Sequence, residues 1–127
     1  MSTERQRHGQ RGEDLAVAYL ERSGYRVAAR NFRCRGGEVD IVAWDGDTLV
    51  FVEVKSKAQT AFDAPQAMVD RRKQARLVQA AVTYLQQQRL PRVAVRFDVV
   101  AIWLLPGRAP EITHIPAAFS PPPRFFY

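Results

Sequence analysis

Cysteine occurs once in this chain of 127 residues, at Cys34, so neither a disulfide within the chain nor a thiolate cluster for zinc is possible. Histidine occurs twice, at His8 and His114, and neither has a metal-ligand partner at useful spacing. No apolar run approaches the roughly 20 residues that cross a bilayer, and the opening MSTERQRHGQRGED holds no hydrophobic signal core. The expectation is a cytoplasmic protein without membrane contact. Apolar residues at 46% and charged residues at 25% exclude wholesale disorder and collagen-like repeats. Lysine is also scarce, with three against sixteen arginines, at Lys55, Lys57 and Lys73.

What the chain does have is positive charge, +6 at neutral pH, which favours a polyanionic partner without requiring one. The charge is unevenly spread. Residues 1–35 carry +4, residues 36–57 carry −3, residues 58–96 carry +5, and residues 97–127 balance. An acidic island between basic flanks is an odd layout for a passive phosphate binder. Its carboxylates repel the ligand unless something neutralises them, and a divalent cation is the usual agent.

The patterning predicts one domain over 12–119, after a flexible N-terminus over 1–11 and before a Pro-rich tail over 120–127. Leu15, Tyr19 and Leu20 at helical spacing, closed by Gly24, predict a helix over about 13–23. A strand is expected over 25–32, followed by two alternating runs, 37–44 and 48–56, joined by Asp-Gly-Asp as a hairpin. Residues 57–66 read as a loop. Residues 70–88 read as a long helix with Asp70 as cap and an apolar stripe of Val78, Ala81, Val82 and Leu85. The nearly continuous apolar run near the end of 93–105 predicts a buried strand, and 111–115 an edge strand. The expected class is α/β with a mixed sheet.

Strict alternation along the hairpin puts Glu38 and Asp40 on one face, Val39 and Ile41 on the other, and Glu53 and Lys55 on one face of the second strand. If Gly46 and Asp47 form a Gly-X turn, Asp45 pairs with Thr48, Asp40 stands opposite Glu53, and Glu38 opposite Lys55. An Asp-Gly turn shifts the register by two. Either way Asp40, Glu53 and Lys55 share a face. Opposed carboxylates with Cβ atoms about 5 Å apart destabilise a plain hairpin, whereas Mg²⁺ is commonly held by one or two carboxylates with waters and phosphate oxygens. Lys55 is then placed to orient or deprotonate a water. The alternative is a solvated hairpin face paired in cross-strand salt bridges. Asp98, in an apolar strand, reads as a structural partner of Arg96.

Gly37-Glu38-Val39-Asp40, twelve residues, and Glu53-Val54-Lys55 resemble the PD-(D/E)xK motif of restriction-endonuclease-like nucleases. With Gly12-Glu13, Gly24-Tyr25, Arg30-Asn31, Lys73 and Arg96-Phe97-Asp98-Val99, the chain resembles the YraN family of small bacterial endonuclease-like proteins over residues 9–119. The resemblance implies an αβββαβ core, similar to archaeal Holliday-junction resolvases. It implies Asp40, Glu53 and the Val54 carbonyl as ligands of Mg²⁺ or Mn²⁺, Lys55 as the residue positioning water, and Glu13 as a further acid near the metal. Arg30, Asn31, Lys57, Arg72, Lys73 and Arg76 are the implied nucleic-acid contacts, with Lys57 standing where the family more often has Arg. Helical spacing puts Arg72 and Arg76 on one face. The implied function is metal-dependent hydrolysis of DNA or RNA, branched DNA included, with a homodimer by analogy. A non-catalytic nucleic-acid-binding module on the same fold is the alternative.

Overall fold

The computed structural model describes residues 4–57, 69–90 and 92–121. Seven elements follow one another: α1 (Glu4–Arg22), β1 (Arg26–Cys34), β2 (Gly37–Asp45), β3 (Thr48–Lys57), α2 (Arg71–Gln87), β4 (Ala94–Trp103) and β5 (Glu111–Phe119). The strands form one sheet in chain order, antiparallel throughout except where β3 and β4 run parallel. α2 provides the crossover that a parallel pair requires. This is the expected α/β architecture, the αβββαβ order with β5 added.

One helix covers each face. Ala16 and Leu20 of α1 pack on Ile41, Val50, Val52 and Ile102, while Leu77, Ala81 and Tyr84 of α2 pack on Val42, Phe51 and Phe97. β4 lies between the two layers and is buried without interruption from Phe97 to Ile102, which is why its sequence is apolar rather than alternating. Two glycines bring the helices close. A Cβ on Gly37 would lie 2.6 Å from the Arg76 carbonyl oxygen and 2.7 Å from the Ala80 nitrogen, so β2 runs against the backbone of α2. A Cβ on Gly12 would lie 2.7 Å from Cβ of Ser56, which places α1 directly over the end of β3. No helix among the described residues is long and apolar enough to cross a membrane.

The structure changes several expectations. α1 starts at Glu4 rather than near residue 13. Its first turns carry no apolar stripe, so periodicity could not reveal them, although Gln10 already donates to Asp14 one turn on, at 3.2 Å. In α2 the Asp70 cap is present, its carboxylate accepting from the Lys73 N–H at 3.0 Å, but Leu77, Ala80 and Tyr84 are buried beside Val78 and Ala81. β5 continues to Phe119 through Pro116, which an edge strand tolerates; the register shifts there and Ala117 takes φ 51°. The predicted loop at 57–66 lies outside the described residues from 58 onward, as does the tail from 122.

The alternation expected along β2 also fails. Val39 and Ile41 do not share a face: Ile41 packs in the cluster of α1, Val39 in that of α2. β1 shows the same reversal, since Arg30, paired with Ile41, reaches the acids of α1, while Phe32, paired with Val39, meets the Tyr84 ring of α2 at 5.3 Å. Between Arg30 and Phe32 lies Asn31 at φ 53°, a left-handed residue that turns the strand over; asparagine is among the few side chains that adopt it readily.

Candidate active site where two strands part

The Asp-Gly-Asp turn sets the geometry. Asp45 pairs with Thr48 across Gly46 and Asp47, with Gly46 at φ 59°, so the Gly-X register is the one adopted. β2 and β3 stay paired from there to Ile41↔Val52 and no further. Continued in register, the ladder would set Asp40 against Glu53 and Val39 against Val54. Instead the strands separate, and the Val54 N–H donates to Asp40 Oδ2 at 2.7 Å. A side-chain oxygen therefore takes an amide beyond the end of the β2–β3 pairing, which holds the Asp40 carboxyl in the gap.

Burial, then the charge of Glu53, push that carboxyl up to about 7; Glu13 acts in the same direction, while the Val54 N–H and Lys55 oppose it. Lys55 Nζ lies 3.1 Å from Glu53 Oε1, both side chains mostly enclosed. Burial works against the Lys55 ammonium, but contact with the Lys73 amine and with Glu53 outweighs it and holds Lys55 above its ordinary value. Lys73, in the first turn of α2, is correspondingly pushed down by Lys55. The structure thus brings a second amine to the site from another element. Eighteen positions separate the two lysines in sequence, and no spacing rule connects them.

Glu13 is buried on α1 and reaches the same region. Its Oε1 accepts from Arg30 Nε and from Asn31 Nδ2, each at 2.9 Å. Arg30 also donates to Asp14 Oδ1 at 2.6 Å. Arg30 and Asn31, expected as nucleic-acid contacts, instead hold Glu13 in place, and the reversal at Asn31 lets consecutive residues of β1 both reach it.

The remaining candidates are more dispersed. Arg76 lies 3.3 Å from Glu38, which also faces Arg33 at 3.8 Å, so Glu38 is paired towards β1 and α2 and not with Lys55 as expected. That expectation assumed a ladder continuing past Ile41. Arg72 and Lys57 are exposed, on the first turn of α2 and at the end of β3. Val54 contributes its N–H to Asp40, and its carbonyl lies on the same strand end.

Asp98 is confirmed as a structural partner. It receives Arg96 Nε on Oδ1 at 2.9 Å and Arg96 Nη2 on Oδ2 at 3.0 Å, lies 2.8 Å from His114 Nε2, and accepts the Ala117 N–H at 3.0 Å. The left-handed Ala117 is what aims that amide inward. Arg96 extends the network to Asp45 and the Tyr25 hydroxyl.

Fold and site together define a class: a small α/β protein with two carboxylates and two lysines gathered where adjoining strands diverge. The family model described as "Uncharacterised protein family UPF0102" matches residues 12–102, an interval containing every candidate residue above from Glu13 to Arg76. Among the relatives are UPF0102 proteins of Geobacter sulfurreducens, 55% identical over 112 residues and 88% of each chain, and of Geobacter metallireducens, 50% identical over 120 residues, 94% of this chain and 98% of the relative. Another, from Herminiimonas arsenicoxydans, is 51% identical over 79% of this chain and 80% of its own. The chain belongs to the UPF0102 family, which is the YraN family.

Proposed function

We propose that this site hydrolyses phosphodiester bonds in nucleic acid, as a metal-dependent endonuclease of the restriction-endonuclease-like kind. The observation that carries this reading is the Asp40 carboxyl, held in a gap beside Glu53 and pushed up to about 7 by burial and then by the charge of Glu53. The donors suit a hard cation. Among the described residues no three His, Cys, Asp or Glu side chains converge to enclose an ion; two carboxylates with a backbone carbonyl instead match Mg²⁺ or Mn²⁺, which keep positions for water and phosphate oxygens. Asp40, Glu53 and the Val54 carbonyl would hold it, with Glu13 nearby.

A bound cation would polarise the phosphate and ease deprotonation of water. Lys55, anchored on Glu53, holds the attacking water in line and offsets charge growing on the phosphate. The water oxygen bonds to phosphorus as the sugar oxygen leaves and takes up a proton. Lys73 adds a second nitrogen at the same point, and the exposed Lys57 and Arg72 would meet phosphates of the strand.

A panel of labelled linear DNA, RNA and branched DNA with Mg²⁺ or Mn²⁺ tests this. Cleavage by the wild type is expected to fall by about 100-fold or more in Asp40→Ala and in Glu53→Ala Lys55→Ala. Cleavage equal in all three proteins would come from a contaminant and defeat the nuclease reading, whereas salt-sensitive binding with no cleavage under any condition would replace the enzyme with a non-catalytic nucleic-acid-binding module.

A further inference from the structure

A cavity of about 460 Å³ lies where β3 ends, lined by Arg11, Leu104, Leu105, Pro106, Gly107, Arg108 and Pro110. Its position is fixed by the backbone. The Leu104 N–H donates to the Lys57 carbonyl at 2.7 Å, tying the β4–β5 connection to the end of β3, and the Arg108 N–H closes a turn on Leu105 with Gly107 at φ 70°. Arg11 comes from α1, one residue before the close contact of Gly12 with Ser56 and two before Glu13. Residues two apart on a helix point about 200° apart, so α1 presents Glu13 on one flank and Arg11 on the other.

The cations of this cavity differ from those predicted at the site. Arg30 and Arg76 are committed to acids, whereas neither Arg11 nor Arg108 is in an ion pair among the described residues, and both are exposed. Two guanidinium groups beside a wall of Leu and Pro provide phosphate contacts on one side and an apolar surface for a base on the other. The volume lies within the range of small-ligand pockets, about 300–1,000 Å³.

We infer that this cavity receives an unpaired nucleotide of the substrate strand, its phosphate on Arg11 and Arg108 and its base against Leu104, Leu105 and Pro110. The substrate class is therefore nucleic acid with a single-stranded arm or end. The inference rests on the nuclease reading of the Asp40 and Glu53 site for its functional meaning, and the binding itself is measurable without cleavage.

The test is fluorescence anisotropy in chelator with three labelled probes: a short oligothymidine, a duplex carrying the same oligothymidine as an unpaired arm, and a blunt duplex. Arg11→Gln Arg108→Gln is expected to weaken the first two by about tenfold or more and to reduce the salt slope by about 1.4, the value for two phosphate contacts on a single strand. The blunt duplex should change by less than about threefold. Leu105→Asp, with both arginines intact, should also lose the preference for unpaired strand, and Arg11→Lys Arg108→Lys should keep most of it. Equal weakening on all three probes, or none on any, overturns the inference. Cleavage assays with Mg²⁺ separate the two readings. Selective loss of binding in a protein that never cleaves leaves the cavity assigned and removes the nuclease; normal cleavage with unchanged binding does the reverse.

Discussion

Two aspartates on one sheet, Asp98 buried and Asp40 partly enclosed, have opposite surroundings. Asp98 meets Arg96 twice, His114 and the Ala117 amide, and these hold its carboxyl below the ordinary range although burial works the other way. Asp40 has one amide, from Val54, and two acids nearby, and is pushed up to about 7. Loss of solvent pushes both carboxyls upward, so the number and sign of the partners decide. A carboxylate surrounded by donors is a completed structural joint. One left among other carboxylates keeps its capacity for a cation, and strained electrostatics of this kind concentrate at functional sites.

The most severe way to disturb this contrast is Asp98→Ala. It removes the shared acceptor of Arg96, His114 and the Ala117 amide, and breaking a buried pair in this manner costs about 3–5 kcal/mol; urea unfolding should show the loss. Because the Asp98 carboxyl is held down, its contribution is present above about pH 4 and disappears as the pH falls below that.

Asp40→Asn should act in the opposite direction, in chelator at pH 8. The wild type carries a group whose folded value lies above its unfolded one, so its stability falls as pH rises from about 4 to 7 and then levels. Removing the charge while keeping an acceptor for Val54 should stabilise by about 2 kcal/mol, because solvent still reaches part of the carboxyl. Mg²⁺ should raise the melting temperature of the wild type and not that of the variant. If Asp40→Asn destabilises at pH 8, the two aspartates are alike and the contrast fails.

The smallest effect is expected from Asn31→Gly, which preserves the left-handed backbone and removes one of the two donors to Glu13. A loss of about 1 kcal/mol in thermal unfolding is the expected outcome; Asn31→Ala, which adds backbone strain, should lose more.

Much of this arrangement was legible in the sequence. The Asp-Gly-Asp turn allowed two registers, both of which put Asp40, Glu53 and Lys55 on one face, and the apolar run after Arg96 marked a buried strand. Other parts had no local signal. The reversal between Val39 and Ile41 comes from a backbone conformation at Asn31 in the neighbouring strand, which no periodicity in β2 records. The contact of Lys55 with Lys73, and the placement of Arg11 and Arg108 around one cavity, depend on how the helices and loops close over the sheet. Glu13 was recognisable as an acid of interest by resemblance, but its two donors from β1 became evident only with that reversal.

The parting of β2 from β3 also has a mechanical consequence. On its other side β3 is bonded to β4 through ten successive pairs, Thr48↔Ala94 to Lys57↔Trp103. Glu53 thus rides on a strand clamped along its full length, while Asp40 lies beyond the last rung joining its strand to β3. The sheet is split like a zipper stopped short of its end, and the distance between the two acids can adjust to what lies between them without loosening a single rung on the β4 side.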